Sequence, residues 1–207
     1  MWTAVDRPSQ EQHGGSVIVT AWRWPDGLPG GEGMNDKELR QYSAGLVAGL
    51  DIPARADVNT LCDHLEDLRG RPISLIELPM PTGPGKPCGL WVATDDEDYI
   101  CYQQFTTQAH QQHIIRHELG HVMCGHQAAQ VMPDEVIQLL MPTLSPELVR
   151  SVLGRTSYTN EEEKAAELVA YLMPVQTGGS YHRPPAGTTP GMENLLRHLG
   201  RSLERHQ

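Results

Sequence analysis

Polar and apolar positions along the chain change period several times, and each change marks an expected element. From Asn35 onward Leu39, Tyr42, Leu46, Val47 and Leu50 recur at three- and four-residue steps, the spacing of one helix face, with Asn35 or Asp36 available as a cap. A second helix is expected from about Val58 to Leu68, stopped by Gly70 and Pro72. The segments ISLIELP, GLWVAT and YICYQQF then read as three strands. A Pro- and Gly-rich loop, MPTGPGKPCG, separates the first two, and the acidic turn DDED precedes the third.

Helical spacing returns from about Thr107 to Cys124, ending at Gly125. Shorter helices are expected over 135–140 and from Ser145-Pro146, and another from about Asn160 to Met173, stopped by Pro174. The order of helices, strands and helices predicts an α+β fold, a small antiparallel sheet packed beside helices. Residues 1–33, rich in Gly, Pro and polar residues around SVIVTAWRW, read as a poorly ordered arm. The folded domain is expected over 34–174, and 175–207 as a linker followed by a short amphipathic helix over 191–205.

Composition narrows the function. The formal charge is −10, with acids spread along the chain, so a surface that neutralises phosphates is not expected and nucleic acid is not a direct partner. There is no secretory signal and no apolar run long enough to span a bilayer, which predicts a cytoplasmic protein. Cys62, Cys88, Cys101 and Cys124 form no C-x-x-C pair and are expected to be reduced.

Candidate chemistry is concentrated in HIIRHELGHVMCGH, residues 113–126. His117 and His121 stand one helical turn apart and can converge on a single ion, and Glu118 can reach a water on it. The H-E-x-x-H string alone is short enough to arise by chance. Its apolar flanks, Ile114, Ile115, Val122 and Met123, make uncompensated polar groups costly there and favour a metal site. Gly120 adds to this, because glycine sacrifices about 1 kcal/mol of helix propensity; a second backbone packed against it, or room for the ion, would account for it. His110, His113 and His126 are read as surface residues or as neighbours of the ligands.

Two imidazoles leave a catalytic zinc site one protein ligand short. Asp63 and His64 are weak candidates, since their helix has an ordinary amphipathic pattern. In NEEEKAAELVAYLMP, Glu163 and Glu167 lie one turn apart, and Glu167 is an isolated acid in an apolar run. Glu163 could instead close a capping box with Asn160. One glutamate can ligate while the other orients a ligand histidine, and composition does not rank them.

The segments RHELGHVMCGH and EEEKAAELVAYLMP resemble the ImmA/IrrE family of bacterial zinc metallopeptidases, which pair an HELGH-like helix with a later E-x-x-A-N-x-F-A helix. The resemblance covers about residues 56–174. It places the family's glutamate on Glu163, its alanines on Ala166 and Ala170, and its closing residues on Leu172 to Pro174. Glu167 stands where the family has asparagine and Val169 where it has phenylalanine, and 42 positions separate His121 from Glu163.

What the resemblance implies is a zincin-like core with Zn2+ held by His117, His121 and Glu163. Glu118 would be the general base of a zinc endopeptidase, with Tyr102, Tyr158 or His113 as an assisting group. The implied substrate is a transcriptional repressor of the helix-turn-helix class encoded nearby, since no such segment is evident in this chain. The competing expectation is a zinc-stabilised module that binds a regulator or a toxin–antitoxin partner without cutting it. A further expectation concerns the start of the chain. GGEG, immediately before Met34, can be encoded by a purine-rich stretch resembling a ribosome-binding site. Translation is therefore expected to begin at Met34, and an intact mass of the native protein that includes residues 1–33 would refute this.

Overall fold

The computed structural model describes residues 34–52, 56–80, 88–94, 97–126, 138, 158–173 and 191–197. The expected arm over 1–33, the linker over 175–190 and the helix from Ser145 lie outside them, as does the helix over 135–140 apart from Gln138.

Helix α1 (Asp36–Gly49) begins where Asn35 caps it, and Glu38 returns a carboxylate to the Asn35 backbone N–H, closing a capping box. Helix α2 (Val58–Arg69) is capped by the Asp57 carboxylate and ends at Gly70, whose left-handed φ of 62° suits a residue without Cβ. Leu39 and Leu46 of α1, with Val58, Leu61 and Leu65 of α2, enter a core shared with the sheet and the later helices.

The sheet has three strands, β1 (Ile73–Leu78), β2 (Gly89–Ala93) and β3 (Asp98–Gln103), in the order β1-β3-β2. The expectation of an antiparallel sheet needs correction. Strands β2 and β3 are antiparallel, but β1 runs parallel to β3, so the sheet is mixed. The cause is topological. Strands β1 and β2 take opposite edges, which leaves β3 in the centre, and every residue of β3 is buried. Apolar alternation reveals the strands but not the direction in which the outer ones run.

Asp98, expected in the acidic turn, is instead the first residue of β3 and is fully buried. Its carboxylate takes hydrogen bonds from Arg69 and from the Trp91 indole Nε1 at 3.1 Å, and the Arg71 guanidinium lies 3.3 Å away. The end of α2 and two strands are thereby tied at one point. A buried carboxylate is tolerated only with partners of this kind.

Helix α3 (Gln108–Cys124) is capped by Thr107 and closed by Gly125 at φ 68°. Helix α4 (Asn160–Leu172) is capped by Thr159, and residues 191–197 form a further short helix, α5, whose Leu195 is buried. Helix α3 packs on β2 and β3 with one side and on α4 with the other. This explains why Ile114, Ile115, Leu119, Val122 and Met123 are all buried.

Asp98→Ala should destabilise the fold by about 3 kcal/mol, the scale for removing one partner of a buried ion pair. A urea unfolding midpoint unchanged from wild type would show that the cluster is not holding α2 to the sheet.

Candidate metal centre

His117 and His121 lie on the side of α3 that faces α4, and the two helices run antiparallel. The crossing is close enough to exclude a side chain. A Cβ built on Gly120 would stand 2.6 Å from the Ala166 carbonyl oxygen and 3.1 Å from its Cα. Ala165, Ala166, Val169 and Ala170 form the buried face of α4. Glycine at position 120 is thus explained by the backbone packed against it.

The close approach brings Glu163 over the imidazole pair. The Nε2 atoms of His117 and His121 are 3.1 Å apart, and Glu163 Oε2 is 3.2 Å from the first and 3.9 Å from the second. Together the three residues form a group that could hold a metal ion, with all ligand atoms within 4.8 Å of one another. Donors about 2.1 Å from a tetrahedral zinc stand about 3.4 Å from each other, and the observed separations bracket that value. His121 is buried, whereas the Glu163 side chain is 49% exposed, so the cluster opens to solvent on the α4 side.

Helix start and helix rotation give the two glutamates different neighbours. The alternative Asn160–Glu163 capping box does not form. Thr159 is the cap, its hydroxyl accepts from the Glu162 N–H, and Glu162 returns its carboxylate to the Thr159 N–H. Displacing the box by one residue leaves the Glu163 carboxylate for the imidazoles. Glu167, one turn on, meets the outer nitrogen of His117, its Oε2 lying 3.2 Å from Nδ1. His113 Nε2 approaches the same oxygen at 3.4 Å. An Nδ1–H donated to Glu167 leaves the His117 Nε2 lone pair directed at the cluster.

His121 has a comparable support. Its Nδ1 lies 2.9 Å from Nδ1 of His126, which is buried, and its ring stacks on Tyr158 at 3.6 Å between centroids and 17° between planes. His126 therefore touches a residue of the cluster and is not on the surface, while His110 is exposed. The nearness of His126 depends on the turn at Gly125, which no helical spacing reveals. Among the other candidates Tyr102 is fully buried in the core, and His64 Nε2 pairs with the Leu50 carbonyl, away from the cluster.

Glu118 is not part of the ligand group. Its carboxylate is buried against strand β2, accepts a hydrogen bond from the Trp91 backbone N–H, and occupies the space that a Cβ on Gly89 would need. Gly89 and Trp91 carry no chemical signal of their own in the sequence; a glycine opening a strand is the available sign. Burial pushes the Glu118 carboxyl up to about 7, helped by Glu163 and opposed by His117 and the Trp91 N–H.

Burial also depresses His121 to about 2, so it is a neutral imidazole with a lone pair to offer. At His117 burial disfavours the charged ring, yet Glu163, Glu118 and Glu167 together outweigh it and raise the pKa. Such a field favours a cation between the rings. Cys88 is exposed, and all four cysteines are free thiols, as expected. Among the described residues no helix is long and apolar enough to cross a membrane.

No protein-family model, curated protein or solved structure matches this chain.

The geometry assigns unequal parts to the two glutamates. Glu163→Ala should weaken zinc binding by at least about a hundredfold and Glu167→Gln by about tenfold, the range seen when a partner of a ligand histidine is lost. Competition with a chromophoric chelator measures both, and equal losses would contradict the assignment. Gly120→Ala should also weaken zinc binding, because α4 must move outward. Its clash, about 1–3 kcal/mol, exceeds the roughly 1 kcal/mol that alanine gains in helix propensity.

Proposed function

We propose that this chain is a zinc-dependent endopeptidase with a zincin-like core, which cuts a peptide bond in a protein partner. The observation that carries the reading is the meeting of His117, His121 and Glu163 at one point with Glu118 buried beside them. A purely structural site has no use for that extra carboxylate. The resemblance of the two motif segments to ImmA/IrrE metallopeptidases agrees with it, and the substrate we infer is a helix-turn-helix repressor encoded nearby.

A zinc ion held by His117, His121 and Glu163 supplies Lewis acidity toward a carbonyl and makes water easier to deprotonate. The chain's own residues do the rest. Glu167 and His126 hold the two rings through their Nδ1 atoms, so that both Nε2 atoms face the same point. Glu118 accepts a proton from the attacking water, whose oxygen bonds to the peptide carbonyl carbon. Glu118 then passes that proton to the amide nitrogen as the C–N bond breaks, leaving a carboxylate and an amine. The Trp91 N–H and the floor at Gly89 fix the Glu118 carboxylate, which limits the proton to a short path.

Glu118→Gln should retain zinc and lose cleavage of the neighbouring repressor by roughly three orders of magnitude, within the range for a general base. Gel analysis of the repressor, with zinc content measured on the same sample, tests this. Undiminished cleavage ends the role of Glu118. A wild-type protein that binds the repressor with zinc in place and never cuts it is the non-cleaving module instead.

A further inference from the structure

A cleft of about 540 Å³ runs between the N-terminal half of α1 and helix α4, and His117, Glu163 and Glu167 contribute to its wall. Its volume is in the range of ligand pockets. Leu39, which is buried, and Leu168, which is half-buried, give it an apolar surface. Arg40 and Lys164 line it too, both exposed, and neither forms an ion pair among the described residues. Long basic side chains lay aliphatic stems along such a surface and keep their charged ends at its mouth.

We propose that this cleft is the specificity pocket of the enzyme and receives an acidic side chain of the substrate, Glu or Asp, close to the bond being cut. This rests on the peptidase reading above. The methylenes of the incoming side chain lie on Leu39 and Leu168, and its carboxylate meets Arg40 and Lys164. Carboxylates also line the cleft, and two of the three are already engaged. Glu163 and Glu167 face the imidazoles, and Asp36 stands in the first turn of α1, where the helix terminus favours negative charge. With a divalent ion on Glu163 the lining changes from one excess negative charge to one excess positive charge.

The test uses a randomised heptapeptide library with the zinc-loaded full chain. Wild type is scored for cut sites by mass spectrometry, and Glu118→Gln, which should keep zinc, is scored for captured peptides. We expect Asp and Glu to be enriched about fivefold at one position near the cut, the upper end for an exposed ion pair. Arg40→Glu should erase the enrichment, and Arg40→Glu with Lys164→Glu should replace it with Lys and Arg. Circular dichroism and zinc content check that the variants fold. Enrichment of apolar residues only, acid enrichment that survives both reversals, or no enrichment at all overturns the proposal. Capture of acidic peptides without any cutting keeps the pocket and removes the peptidase reading, whereas cutting without acid preference does the reverse.

Discussion

The site depends on how closely two helices can cross. Where α3 meets α4 the interface consists of Gly120 against the backbone of Ala166, with Ala165 and Ala170 buried to either side. Small residues let the helix axes approach, and only at that separation does a glutamate of α4 reach the imidazole nitrogens of α3. A bulkier pair at the crossing would hold the same three side chains too far apart to share an ion. The spacing of His117, His121 and Glu163 is therefore set by residues that carry no functional group.

Around this crossing the rest of the fold acts as a support. The sheet lies on the other side of α3, and β2 lends the Trp91 N–H and the open space at Gly89 to Glu118. Further away, Asp98 ties Arg69, Arg71 and Trp91 together, so the strand that touches Glu118 is also anchored to the end of α2. Both faces of α3 are thus occupied, and His117, Glu118 and His121 each meet a specific partner there.

Much of this was readable in the chain. Spacing located α3 and its paired histidines, the helix over 160–172, and the α+β order, because each follows from local periodicity. Glycine at position 120 signals either a close backbone contact or room for an ion, and the contact with Ala166 is what the fold contains. Two things were not legible. Parallel pairing of β1 with β3 depends on which edge β2 occupies, and alternation in a strand does not encode that. Asp98 resembled one more acid in a turn, because the arginines that neutralise it lie some thirty positions earlier. The choice between Glu163 and Glu167 was intermediate. Both share one helical face, so their ranking depends on a one-residue displacement of the cap to Thr159 and on the rotation of α4.

The distance along the chain between the ligands has an implication for biosynthesis. The two rings belong to a helix that can form early, but the carboxylate that completes their set is 42 positions further on. A ribosome that has just finished α3 has made two imidazoles without their acid partner. The three-residue cluster comes into being only when α4 docks, so its assembly reports on completion of the helix pair.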